Sequence, residues 1–185
     1  MQVGLWGRSF TRRVKESPQP FTVGGMARID VPDGPGGDAA MIWTLRPELG
    51  GMVQRMVQGA YEQSVIPGEE RELARMRIAE INACTACADF RADSIKALDI
   101  PDEHYANVSA WATYPGYTDR QRLAIEYAER FALAHAEIDD DFYVRLRLAF
   151  TDPEILDLTL CIGVFLGLGR TLAVLHVEQA CAVSL

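Results

Sequence analysis

Basic residues are in short supply: the 185-residue chain has 18 Lys and Arg against 26 Asp and Glu, a formal charge of -8. A surface of that sign repels phosphate backbones and anionic headgroups, so nucleic acid and membrane surfaces are not expected as main partners. The first residues, Met1 to Phe10, lack a basic segment followed by a sustained apolar run. No secretory signal is read there, and a cytoplasmic location is expected. Nothing alternates with period two for long, which argues against sheet, and no internal repeat stands out. The most apolar stretch, Ile155 to Leu185, is interrupted by Asp157, Arg170, His176 and Glu178, so it reads as buried helix in a subunit contact rather than a membrane span. A metal-ligand set is missing as well. One Cys-x-x-Cys with no His close behind it does not provide the four ligands that tetrahedral zinc requires, and no cofactor is expected.

What is present is ordinary globular material, 49% hydrophobic and 24% charged, in a length that suits one domain with an arm. Residues 1–45 read as an irregular arm: Pro18, Pro20, Pro32 and Pro35 alternate with Gly24, Gly25, Gly34, Gly36 and Gly37, with no periodic pattern. Its apolar anchors Trp6, Phe10, Phe21 and Ile29 suggest that it lies on the body or on a neighbouring subunit. From Arg46 the chain turns helical, with Pro47 suited to a first turn and Leu49, Met52, Val53, Met56, Val57, Ala60 and Tyr61 at spacings of three and four. A second helix is predicted over 69–82, a third from Cys84 to about Leu98, and a long connection over 102–117. Thr118 with Gln121 forms a capping box ahead of the stripe Ala124, Tyr127, Ala128, Phe131 and Ala134. A fifth helix starts at Asp139–Asp141, and a last helix or helix pair follows the box of Thr151 and Glu154, with Pro153 in its first turn. The fold class is all-α, with residues 46–185 as the helical domain.

Four cysteines occur, Cys84, Cys87, Cys161 and Cys181, and only the first two are close. In a reducing compartment a lone Cys-x-x-Cys is catalytic or metal-binding more often than a structural bridge. Cysteines three apart at a helix start share a face, so their sulfurs can close to a disulfide with little backbone movement. The unpaired amides of the first turn favour a thiolate, the reactive form. Arg91 falls at i+4 from Cys87, where a guanidinium can add to that stabilisation but cannot shuttle a proton. Acid–base work then falls to Glu72 or Glu80 on the preceding helix. The bland readings are that Glu80, Asp89 and Arg91 form ordinary ion pairs and that Glu72 is a solvated acid. By the same reasoning His104, His135 and His176 cap helices or face solvent, and Cys161 and Cys181 are small buried hydrophobes.

The run Glu72-Leu73-Ala74-Arg75-Met76-Arg77-Ile78-Ala79-Glu80-Ile81-Asn82-Ala83-Cys84-Thr85-Ala86-Cys87 resembles the core motif of the AhpD-like alkylhydroperoxidase branch of the carboxymuconolactone decarboxylase family. The similarity continues through Thr118-Asp119-Arg120 to Arg170, covering roughly residues 46–183. The resemblance implies six to eight helices in a homo-oligomer, a trimer or hexamer. It implies a catalytic Glu at Glu72, the peroxide-attacking thiol at Cys87 and the resolving thiol at Cys84. It also implies a hydroperoxide substrate and an external dithiol reductant, such as a lipoyl group or a thioredoxin-like protein. Arg91 stands where the family usually has its relay His, and Ala86 differs from the best-studied branch, so protons would come from water, Glu72 or a distant His such as His176. The expected function is a thiol-dependent peroxidase or thiol–disulfide oxidoreductase. The alternatives are a decarboxylase acting on a lactone acid and a non-catalytic oligomeric redox sensor.

Overall fold

The computed structural model describes residues 27–177, and all regular structure within them is helical. The anchors Trp6, Phe10 and Phe21, Cys181, and the stretch from Glu178 to the chain end fall outside the described residues. The arm is less irregular than its Gly and Pro content suggests: Gly36 and Gly37, both at positive φ, turn the chain into α1 (Gly37–Met41), and a 3-10 turn follows over Ile42–Leu45. Pro47 then opens α2 (Pro47–Glu62), as its fixed φ suits a first turn.

The centre of the molecule is α3 (Gly68–Ile81), which lies against both α7 (Asp119–Ala134) and α9 (Asp152–Val174). Ala74 and Ile78 of α3 join Leu123, Ala124, Tyr127 and Ala128 of α7, and Leu158 and Ile162 of α9, in the main core. Phe142, Leu146 and Phe150, from α8 (Asp140–Ala149) and its end, close that core from the third side. Each of the Leu, Ile and Phe side chains taken out of water there contributes on the order of 1.5–3 kcal/mol. Both capping boxes form, Thr118 with Gln121 and Thr151 with Glu154, so α7 and α9 start where their sequences place them.

Two polar side chains tie α9 to the rest. Asp157, an interruption in an apolar helix by sequence, accepts from the Ser64 hydroxyl at 2.7 Å and the amides of Val65 at 2.6 Å and Ile66 at 3.2 Å. It thereby clips the α2–α3 loop onto the bundle. Asn82, at the end of α3, donates to the Leu166 carbonyl at 3.3 Å and accepts from Arg170 Nε at 3.3 Å. Gly169 makes that approach possible, since a Cβ there would lie 2.5 Å from Asn82 Nδ2.

The described helix ends at Val174, and His176 is not inside it. His176 has φ 50° and stands one place past the helix cap, with Val177 N–H returning to the Leu172 carbonyl at 3.1 Å, the left-handed stop usually made by glycine. Nor is α9 wholly buried, because Leu156, Leu160 and Val174 face outward. It is long and apolar enough to cross a membrane, yet its polar residues are committed to the α2–α3 loop and to Asn82.

Gly169→Ala is expected to lower stability by about 1–2 kcal/mol in urea unfolding, because the new methyl displaces Asn82. Gly163→Ala on the same helix meets nothing within 4 Å and is expected to be neutral or to stabilise by up to ~1 kcal/mol.

Candidate active site

The turn after α3 fixes the cysteines. Ala83 N–H returns to the Glu80 carbonyl at 2.9 Å and Cys84 N–H to the Ala79 carbonyl at 3.0 Å, closing a second left-handed helix stop. Ala83 takes the position that glycine favours, at φ 49°, and so carries backbone strain immediately before the motif. Cys84 is the N-cap of α4 (Thr85–Asp89), and its sulfur accepts the Cys87 amide at 3.3 Å. Cys84 and Cys87 are joined as a disulfide, Cys84 buried and Cys87 partly accessible.

The helix predicted to run from Cys84 to about Leu98 breaks after one turn. Phe90 is extended, at ψ 134°, and a separate short helix, α5 (Asp93–Lys96), resumes the chain. Guanidinium groups occupy the carbonyls that a continuing helix would use. Arg75 Nη1 donates to the Cys87 carbonyl, and its Nη2 reaches the Phe90 carbonyl at 3.1 Å. Arg91 Nη1 donates to the carbonyls of Ala88 at 2.5 Å and Phe90 at 2.7 Å.

Arg75 is anchored in turn by Glu72, whose side chain is wholly buried: Arg75 Nε lies 2.8 Å from Oε2 and Nη2 2.7 Å from Oε1. This fork-on-fork geometry is the strongest form of a charge-assisted pair. Burial alone would lower the Arg75 pKa, but the Glu72 carboxylate outweighs it and the guanidinium is held above its ordinary value. Arg91 Nε stands 3.6 Å from Glu72 Oε1, so a second cation faces the same carboxylate. The Arg91 side chain therefore addresses Glu72 and backbone carbonyls, since the break in the helix removes the i+4 register that would have set it over Cys87.

Two phenols flank the carboxylate. Tyr105, on α6 (Asp102–Ala106), has the Arg91 guanidinium 4.0 Å from its ring centroid; burial and then the Glu72 charge raise its pKa. Tyr61 at the end of α2 is pushed up to about 12, chiefly by burial. Both stay protonated at neutral pH and can donate a hydrogen bond.

The site thus brings together Glu72, Cys84, Cys87 and Arg91 of the residues singled out in the sequence. Glu80 lies elsewhere, paired with Arg77 at 2.9 Å, and His176 is exposed beyond α9. Sequence reasoning missed Arg75, Tyr61 and Tyr105. Arg75 had a usable signal, i+3 from Glu72; Tyr61 was read as core stripe, and Tyr105 sat in an unstructured connection. Cys161 is buried, and the same burial pushes its thiol up to about 12, which keeps it unreactive. Among the described residues no three or more of His, Cys, Asp and Glu gather as a metal site.

Glu72→Gln leaves Arg75 buried without a counter-charge and is expected to cost about 3 kcal/mol in urea unfolding of the oxidised chain. Arg75→Met should cost a similar amount, and the double variant less than the sum. Additive losses would mean that the two side chains do not act as a pair.

The sequence model of the carboxymuconolactone decarboxylase family matches residues 47–130, a stretch that holds this entire site. Uncharacterized protein YdfG of Bacillus subtilis (strain 168) is 26% identical over 103 residues, 55% of this chain and 70% of that protein. Uncharacterized protein YnjA of Escherichia coli (strain K12) is 30% identical over 93 residues, 50% of this chain and 51% of that protein. In structure, the chain resembles a protein of unknown function from Agrobacterium tumefaciens whose name suggests antioxidant defence (AhpD), with TM-score 0.67, 21% identity, 85% of this chain and 100% of that one. It also resembles an uncharacterized peroxidase-related protein from Silicibacter sp. TM1040, with TM-score 0.71, 18% identity, 83% of this chain and 92% of that one. At these identities the structural likeness is one of fold.

Proposed function

We propose that the chain, which matches the carboxymuconolactone decarboxylase family model over residues 47–130 and has the AhpD-like helical fold, is a member of that family and a thiol-dependent peroxidase or a related thiol–disulfide oxidoreductase. The observation that carries this reading is the buried Glu72 carboxylate, held by Arg75, whose guanidinium also grips the carbonyl of Cys87. A base and a thiol are thereby linked through a single side chain.

Starting from the reduced pair, Glu72 takes the thiol proton of Cys87, directly or through water. The Cys87 thiolate attacks the terminal oxygen of a hydroperoxide, the O–O bond breaks, and the sulfur is oxidised to a sulfenic acid. The departing alkoxide takes a proton and leaves as the alcohol; Glu72 returns the proton, with the Tyr105 phenol beside it as a second donor. The Cys84 thiol then displaces water from the sulfenic acid, giving the disulfide. An external dithiol, a lipoyl group or a thioredoxin-like protein, restores both thiols by exchange and is itself oxidised. Cys87 attacks and Cys84 resolves, in keeping with their accessibilities.

A homo-oligomer, a trimer or hexamer, is part of the same reading. Leu148, Leu133, Leu156, Leu160 and Val144, on α7, α8 and α9, expose more than half of their surface, which suits burial between copies. The cytoplasm is the compartment proposed, with neither nucleic acid nor membrane as partner. One observation favours a second reading, a redox switch without turnover: Arg91, which cannot carry a proton, stands where the family has its relay His. A decarboxylase would leave the thiol pair without a task.

Reduced protein mixed with hydrogen peroxide or an alkyl hydroperoxide is expected to lose two thiols in one fast phase, and to cycle when a dithiol is supplied. Cys87→Ser should abolish the fast phase, and Cys84→Ser should halt at a trappable sulfenic acid. Slow, single-turnover oxidation would support the switch, and carboxylactone turnover that survives loss of both cysteines would support the decarboxylase.

A further inference from the structure

The charged side chains of α3 are almost all matched. Glu69 accepts from Gln121 at 2.6 Å, Glu70 pairs with Arg120 at 3.1 Å, Glu72 with Arg75, and Arg77 with Glu80 and Glu129. Arg71 is the exception. It is 5% exposed, its Nε is buried with no hydrogen-bond partner, and among the described residues no carboxylate pairs with it. Asp157, whose charge acts on the buried Cys161 thiol as that of Arg71 does, already serves Ser64, Val65 and Ile66. A buried guanidinium without a counter-charge is costly, so an anion held there is strongly favoured.

The surroundings say which kind. The Arg71 guanidinium lies 5.3 Å from the centroid of the Tyr61 ring, and that ring meets Phe90 at 6.1 Å and Phe165 at 5.8 Å. Phe90 follows α4 directly, and Arg75 holds its carbonyl together with that of Cys87. An aromatic wall therefore runs from the unmatched cation to the thiol helix, and the Tyr61 hydroxyl feels Glu72, Arg75 and Arg71 at once.

We propose that Arg71 binds the carboxylate of the substrate, so that the preferred peroxide is the hydroperoxide of a carboxylic acid whose apolar body lies along Tyr61, Phe90 and Phe165. This rests on the peroxidase reading and narrows its substrate class. The acid head stays at Arg71 throughout, and the hydroperoxide end undergoes the oxygen transfer already written. Because the chain as a whole carries -8, a preference for an anionic substrate has to come from a local cation.

The test compares cumene hydroperoxide with its para-carboxylate as oxidants of the full reduced chain, followed by thiol loss under single-turnover conditions. The carboxylate is expected to react about tenfold faster or more, the gain of one charge-assisted hydrogen-bonded pair. Arg71→Gln should bring the ratio to about one, and Arg71→Lys should keep part of it. Both compounds oxidising the protein at equal rates would overturn the carboxylate site and leave the peroxidase reading standing. If neither oxidises it, the peroxidase reading fails, and para-isopropylbenzoate titrated into the oxidised wild-type chain by calorimetry decides the site alone. Saturable binding lost in Arg71→Lys or Arg71→Gln sustains it, and no binding by the wild type overturns it.

Discussion

A buried ion pair in the middle of the central helix organises the molecule around it. Glu72 and Arg75 lie one helical turn apart on α3, both out of water, and the arginine uses its remaining donors on the carbonyls of Cys87 and Phe90. Desolvating two charges is expensive, and such a pair is retained only where geometry and additional hydrogen bonds compensate. Here the additional bonds run out of α3 into the segment that carries the thiols. The position of the disulfide is therefore set by an electrostatic constraint, and α4, a single turn long, depends on α3 for its place.

The break after α4 follows from the same pair. Carbonyls claimed by Arg75 and Arg91 do not accept from amides four residues on, so the chain leaves the helix at Phe90 and returns to it at Asp93. That departure carries Arg91 toward Glu72 and Tyr105. A carboxylate faced by two guanidinium groups and flanked by two phenols is a different proton environment from one built with imidazole. It has hydroxyl donors beside it.

Most of the framework was legible in the sequence because it rests on local rules. Two capping boxes, the proline at the head of α2, the stripe on α7 and the acidic start of α8 each name their helix, and the structure forms each of them. The Cys-x-x-Cys at a helix start was equally plain. What escaped depends on contacts distant in sequence. The bland reading of Glu72 is a solvated acid, yet Glu72 and its neighbours Glu70, Arg71 and Arg75 are buried, because α7 and α9 cover α3 from two sides. Local propensity does not show such coverage. The single helix expected over 84–98 failed for the same reason: the competing donors come from Arg75, twelve residues before Cys87. His176 was placed inside an apolar helix, while a left-handed stop without glycine ends the described helix before it.

Arg75, anchored by Glu72 on α3, holds the Cys87 carbonyl at the head of α4, and the proposed chemistry requires the Cys87 sulfur to ionise readily there. The most direct measurement is the pH dependence of Cys87 alkylation by iodoacetamide in the reduced chain, resolved by mass spectrometry. The expected midpoint lies clearly below the value of about 8.5 for a free cysteine. A midpoint at or above that value, with a rate no faster than that of a small thiol, would contradict it.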